Sequence, residues 1–220
     1  MLEPGPQDLY YFMGNESLPL TDTLIVSWIL LILLVLVSRW ITSNMSLKPG
    51  KAQNIAELIV STIEDQIEDM LPGEGRNLLP FIATIFVYIG FSNLVVLLPG
   101  VPSPSTDLNL TLGLAAVVFM VSHYYGMKEK GILGYAKGFA EPVIFMLPIN
   151  VVSELAKPIS HSFRLFGNMV GASIILGLIY MAAPWMIPVP LHAWFDLFVG
   201  VIQAFIYGMI AIVYISVAKD

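Results

Sequence analysis

Between Pro148 and Tyr180 the chain reads PINVVSELAKPISHSFRLFGNMVGASIILGLIY, an apolar stretch interrupted by Asn150, Glu154, Lys157, His161, Arg164 and Asn168. The steps between these six are 4, 3, 4, 3 and 4, so on a helix they form one polar stripe. Ionisable groups at membrane depth are expensive, and an intramembrane route for ions is their default function. Arg164 sits at the midpoint of the segment, where a guanidinium costs roughly 3 kcal/mol on insertion scales and above 10 in simulations of isolated helices. Arginine does not deprotonate in proteins, so its charge is permanent. A carboxylate from another protein that passes Arg164 has its pKa lowered and gives up its proton; carboxylates away from the Arg and facing lipid are re-protonated. A fixed charge thus separates an uptake path from a release path. The alternative for Arg164 is a snorkelling residue or a partner for Glu154, but ten residues, or about 15 Å of helix, separate the two.

A second polar stripe follows on the last apolar run: His192, Asp196, Gln203, Tyr207 and Tyr214, at steps of 4, 7, 4 and 7. Buried polar groups in a bilayer need hydrogen-bond partners, so the two stripes are expected to face each other or a shared partner. Several positions keep two readings. Lys157 can snorkel to the interface, His192 can be a helix-end residue, and His161 serves either as a polar core contact or in a proton path. Tyr207 and Tyr214 serve either packing or the path, and His123, beside Tyr124 and Tyr125, reads as interfacial. Gly167 and Gly171 form a GxxxG pair suited to close helix approach, with Ala172, Ser173 and Gly177 following. Pro158 removes a backbone hydrogen bond and allows a bend.

The elements that must carry these stripes are membrane helices. Of 220 residues, 57% are hydrophobic and only 12% charged, with apolar runs long enough to span a bilayer. The absence of cysteine excludes disulfides and thiolate chemistry, and the net charge of −6 argues against nucleic acid as a partner. Residues 1–19, with Pro4, Gly5, Pro6, Gly14 and Pro19, read as an irregular acidic tail. Leu20 to Val37 is the core of a first span placed at 20–41, closed by Arg39, Lys48 and Lys51. That basic flank puts the N-terminus outside and the C-terminus in the cytoplasm. Its acidic approach (Glu3, Asp8, Glu16, Asp22) and lack of a small-residue cleavage site mark it as a retained span rather than a signal peptide.

Residues 52–71 repeat Ile55, Ile59, Ile63, Ile67 and Leu71 among acidic side chains and read as an amphipathic helix at the cytoplasmic surface, packed on the membrane domain or a partner, or simply solvated. Spans are expected at 78–98 and 108–125, the latter followed by Lys128, Lys130 and Lys137. Residues 139–147, with Pro142, are too short to cross and read as a short or re-entrant helix. The long helix 148–180, the break AAPWMIPVP and a last long helix at 191–217 complete a single membrane domain with five crossings. At 33 residues, 148–180 is about 50 Å long against about 30 Å of hydrocarbon, so it is expected to incline by roughly 50°.

The run KPISHSFRLFGNM, followed about thirty-five residues later by IQAFIYGMIAIVYIS, resembles the a subunit of the rotary F-type ATP synthase over the whole chain. The match is most specific in the core [Lys/Arg]-Pro-x-Ser-x-x-x-Arg-Leu-Phe-Gly-Asn, here Lys157 to Asn168. The resemblance implies an all-α integral membrane protein whose last two helices form a long, tilted hairpin against a rotating ring of c subunits. It implies that Arg164 faces that ring and interacts with each c-subunit carboxylate, and that two aqueous half-channels couple ion flow to rotation and ATP synthesis. Asn168, Gln203 and Tyr214 match polar positions of those half-channels. Asn150 and Ser173 stand where some relatives carry a carboxylate, and Asp196 where some carry His or Glu. Glu154 and Asn150 are assigned to one path, Asp196 and Gln203 to the other, with His161 and Tyr207 as further candidates. The implied partners are the c-subunit ring, b-type peripheral stalk subunits, the rest of the F1Fo ATP synthase and the lipid bilayer of a bacterial inner membrane. No cofactor, metal or catalytic residue is implied, and the subunit is expected to be non-catalytic.

The competing reading is a self-contained ion-coupled secondary transporter using Glu154, Arg164 and Asp196, but the paired repeats of such folds are not evident in the sequence. An intramembrane hydrolase would need a nucleophile with its base or an HExxH metal site, and neither arrangement is present in the sequence.

Overall fold

The computed structural model describes residues 8–11, 19–43, 45–46, 49–98, 100–141, 143–182 and 188–219. Most of the N-terminal tail, Lys48, Pro142 and the centre of the AAPWMIPVP break lie outside the described residues. Where the tail is described, strands β1 (Asp8–Tyr11) and β2 (Pro19–Thr21) pair antiparallel, with Tyr10 opposite Leu20 and Tyr11 opposite Pro19. Everything else regular is helical: α1 (Asp22–Ser43), α2 (Lys51–Met70), α3 (Gly75–Leu94), α4 (Leu108–Gly138), α5 (Leu147–Ala182), α6 (Pro188–His192) and α7 (Gly200–Lys219), with one π-helical segment, Ala193–Val199, joining the last two. Five helical stretches, 22–43, 75–97, 108–138, 144–182 and 188–219, are long and apolar enough to cross a membrane. The chain is an all-α integral membrane protein.

The core lies where α3, α4 and α7 meet. Leu78, Ile82, Ile85 and Ile89 recur at helical spacing down one face of α3, and Ala204, Ala211, Ile212 and Ile215 do so on α7; all are buried. Two glycines let backbones approach. A Cβ on Gly126 of α4 would stand 2.7 Å from the Ala218 carbonyl oxygen of α7, and one on Gly200 would stand 3.1 Å from Cβ of Asn93 on α3. Gly167 and Gly171, the GxxxG pair, meet nothing: an added Cβ at either has no neighbour within 4 Å. The expectation of close packing at that motif is therefore not met by any described helix of this chain.

Polar bonds fix the remaining helices. Asp107 caps α4, its Oδ1 accepting from the Asn109 N–H at 2.9 Å, while its Oδ2 accepts from Thr23 Oγ1 at 2.9 Å and holds the start of α1. Ser27 and Tyr88 bond at 2.7 Å between α1 and α3. At the other end, Lys219 donates to Glu74 at 2.8 Å and ties the last turn of α7 to the start of α3. Of the five-residue apolar repeat on α2 only Ile63, Ile67 and Leu71 are buried; Ile55 and Ile59 are exposed, so the helix docks by its C-terminal half.

Beyond residue 125 the chain departs from the sequence reading. Helix α4 continues past 125, then breaks at Gly131, whose φ of 73° is open to glycine and costly for other residues. The reversal brings Tyr135 back on Gly126 and edge-on to His123, with ring centroids 5.6 Å apart. Among the described residues of 139–147 the regular structure is a single 3-10 turn, Ile144–Met146, which leads into α5 at Leu147 in place of a separate helix. The turn at Gly131 falls between the span expected at 108–125 and the short helix expected at 139–147, a stretch the sequence reading left without an element.

Candidate ion-translocation site

Helix α5 has 36 residues and is about 54 Å long, with Pro158 inside it and Arg164 at its middle. Its buried face is His161, Leu165, Met169, Ala172 and Leu176, a spacing of 4, 4, 3 and 4 that follows the core. The polar stripe begins on that face and leaves it: His161 is buried, whereas Arg164 and Asn168 are exposed. The step of three from His161 to Arg164 turns the side chain about 60° back from the buried face, which continues by a step of four to Leu165. Among the described residues Arg164 has no hydrogen-bond or ion-pair partner. Glu154 does not reach toward it but pairs with Lys157, whose Nζ donates to Oε1 at 2.7 Å.

Helices α5 and α7 both pack on α4, and long side chains bridge between them. Asn168 Nδ2 donates to Gln203 Oε1 at 2.9 Å. One and two turns nearer Lys157, His161 stacks on Tyr207 with centroids 3.7 Å apart and meets the edge of Tyr214 at 5.5 Å. Both His161 ring nitrogens, the Tyr207 hydroxyl and Gln203 Nε2 are buried without a partner among the described residues. Tyr214 reaches the Lys157 carbonyl at 3.5 Å and lies 5.7 Å beneath its ammonium. Asn150 is engaged locally: its Nδ2 donates to the carbonyls of Phe139 at 2.9 Å and Glu141 at 3.3 Å, fastening α5 to the segment before it. Ser173 donates back to the Met169 carbonyl at 2.9 Å.

A third cluster occupies the far end of the molecule. The wide turns of the π-helical segment carry Asp196, buried, with Oδ2 bonded to His192 Nδ1; His192 Nε2 bonds to the Tyr180 hydroxyl at 2.8 Å. On the neighbouring helix, buried Asn93 donates to the Gly200 carbonyl at 3.0 Å, where the π-helical turns end. Tyr180 and Asn93 were not singled out in the sequence. Asn93 had a signal, an amide near the end of a hydrophobic span, whereas Tyr180 merely closed the apolar segment.

The structure therefore gathers the candidates into three groups. His161, Tyr207 and Tyr214 lie together near Lys157 and Glu154; Asn168 and Gln203 are bonded beside Arg164; Asp196 stands apart with His192 and Tyr180. Asn150 and Ser173 join none of them. No cluster of His, Asp and Glu able to hold a metal ion occurs among the described residues. What the groups offer together is a fixed cation on an open helix face, flanked toward each end of the helix by buried polar side chains.

A family profile described as ATP synthase A chain matches residues 24–216. Among curated relatives, ATP synthase subunit a 2 of Bradyrhizobium sp. is 35% identical over 98% of this chain and 95% of its own length. The sodium-ion-specific ATP synthase subunit a of Propionigenium modestum is 36% identical over 92% of this chain and 75% of its own. ATP synthase subunit a of Albidiferax ferrireducens is 34% identical, over 96% and 92% respectively.

Proposed function

The chain belongs to the ATP synthase A chain family, and from that premise we propose that it is the stator subunit that routes ions past the rotating c-subunit ring of an F1Fo ATP synthase. The observation that carries the reading is Arg164: a permanent cation, exposed halfway along a 36-residue helix and unpaired among the described residues. A charge at membrane depth without an internal counter-ion calls for an external one, and a c-subunit carboxylate is the partner that would make its cost productive. Gly167 and Gly171, open on the same helix, would let a rotor helix come close.

On this reading two half-paths meet at Arg164. Asp196, Gln203 and Asn168 line the one from the outside, and His161, Tyr207, Tyr214 and the Glu154 region line the one from the cytoplasm. Each ion crossing the membrane supplies about 2.3 kcal/mol per 100 mV, which the rotor transmits to the catalytic sector; this chain carries out no covalent step itself. The complex would sit in a bacterial inner membrane with the N-terminus outside, joined by b-type peripheral stalk subunits. The steep inclination of α5 and α7 would lay their polar groups beside the ring. Replacing Arg164→Ala in the assembled complex is expected to abolish ATP synthesis driven by an imposed ion gradient in inverted vesicles. Coupled synthesis at the wild-type rate in that variant would overturn the reading.

A further inference from the structure

The N-terminal half of α2 leaves apolar side chains in the open. Ile55 is 61% exposed and Leu58 66%, while Ile63 and Ile67 further along the helix are buried. Beside that half lies an open groove of about 230 Å³, walled by α2 between Leu58 and Gln66, by Ile82 and Phe86 of α3, and by α7 between Phe205 and Ile212. The Phe86 and Phe205 rings meet edge-on there, with centroids 6.5 Å apart. Of the eleven lining residues only Thr62 and Gln66 carry polar side chains, so water finds few partners, and a cavity of this make-up stays dry or takes an apolar guest.

Size decides which guest. One turn of helix, about 10 Å across and 5.4 Å tall, fills roughly 400 Å³, so a helix from a partner subunit does not enter. An acyl chain is a single file of methylenes and does. The bilayer supplies that chain, because the groove opens beside the exposed Ile55 and Leu58 of an amphipathic helix in a membrane protein. Charge decides the headgroup. Helix α2 carries five carboxylates between Glu57 and Asp69 and a single cation, Lys51, seven residues before Leu58. Asp65 and Asp69 follow Thr62 and Gln66 by three residues, which places them next to the groove on the helix surface. Both are exposed and have no ion-pair partner among the described residues. An anionic headgroup is repelled there, whereas a primary ammonium donates to carboxylates, and the Gln66 amide offers donors to ester or phosphate oxygens.

We propose that this groove seats one acyl chain of a zwitterionic, ammonium-bearing phospholipid of the phosphatidylethanolamine kind, with its headgroup at Asp65 and Asp69. The lipid fills the gap that side chains leave between α2, α3 and α7 and so fastens the first half of α2. Phe205, Met209 and Ile212 lie on the face of α7 opposite Gln203, Tyr207 and Tyr214, so the site is separate from the proposed ion path and does not rest on it.

The test is photolabelling of the assembled complex in vesicles of phosphatidylethanolamine and phosphatidylglycerol that contain a trace of phosphatidylethanolamine with a diazirine at the end of one acyl chain. Proteolysis and mass spectrometry locate the adducts. Peptides covering 58–66 and 205–212 are expected to carry at least about threefold more label than α1, whose apolar side chains are exposed from Trp28 to Trp40. A phosphatidylglycerol probe with the same chain is expected to label the groove at most about a third as strongly. Thr62→Trp fills the groove from the exposed side of α2 and is expected to bring the label down to the α1 level, while Val60→Trp, outside the lining, leaves it in place. Groove labelling at the α1 level in the wild type, labelling unchanged by Thr62→Trp, or equal labelling by the two probes would each overturn the proposal. So would a benzophenone side chain placed at position 58 that captures a partner subunit in place of lipid. Should Thr62→Trp not assemble, excess unlabelled phosphatidylethanolamine decides: a selective loss of label from the groove supports the site, and a parallel loss from groove and α1 overturns it.

Discussion

The contact between Gly126 and α7 offers the sharpest quantitative expectation. A methyl group at position 126 would lie 2.5 Å from Cε2 of Tyr135 and 2.7 Å from the Ala218 carbonyl oxygen. These two obstacles differ in kind. The tyrosine ring lies on a short folded-back segment and can swing aside, whereas the carbonyl belongs to the backbone of α7 and retreats only if the helix does. Restoring an ordinary contact of about 3.4 Å requires α7 to move by roughly 0.7 Å, against a core in which Ile212 and Ile215 are fully buried. Overpacking of this kind costs about 1–3 kcal/mol, and for a domain of this size each kcal/mol lowers the thermal midpoint by about 2–4 °C. Gly126→Ala is therefore expected to lower the unfolding midpoint of the purified chain in detergent by about 2–12 °C, read by circular dichroism. Pairing it with Tyr135→Ala is expected to recover only part of that loss, because the carbonyl remains. Gly177→Ala, inside α5 with open space at the same distance, serves as the control and is expected to hold or slightly raise the midpoint. A Gly126→Ala variant with the wild-type midpoint, or full recovery on adding Tyr135→Ala, would refute the backbone argument.

Two further outcomes follow from the same geometry. The Tyr207 hydroxyl is buried without a partner while its ring stacks on His161, so Tyr207→Phe is expected to keep or slightly raise the thermal midpoint, whereas Tyr207→Ala loses about 3–5 kcal/mol through the cavity it leaves. The bond from Lys219, and after it the one from Asn77, holds the Glu74 carboxyl below its usual range. A carboxyl with a folded-state value below its unfolded one stabilises above about pH 4.5 and loses that contribution as the pH falls through the folded-state value. Protection factors of the amides in the last turn of α7, with the intrinsic pH dependence of exchange divided out, are accordingly expected to fall on acidification in the wild type, with a smaller change in Lys219→Met.

The sequence by itself determined a good deal of this protein. Composition and run length established a multi-span helical membrane protein, because a bilayer admits few other ways to satisfy a backbone. The period of the polar residues put Asn150, Glu154, Lys157, His161, Arg164 and Asn168 on one side of one helix, and the Arg-Leu-Phe-Gly-Asn core carried the family resemblance. These signals are local, and local signals are written in spacing. Only the tertiary structure decided how the stripe divides. His161 turns inward onto Tyr207, while Arg164 and Asn168 stay on the open face, because the buried face continues from His161 by a step of four to Leu165 and the polar positions by a step of three to Arg164. Lys157 rather than Arg164 takes Glu154, since three residues along a helix bring side chains together and ten do not. Gly167 and Gly171 look alike in sequence to any packing motif, yet Gly126 and Gly200 make the close approaches. Tyr180 and His192 are twelve residues apart across a break, so their bond, and the line it makes to Asp196, depends on how two helices end beside each other. Neighbourhood across a turn is set by packing, and no spacing in the chain encodes it.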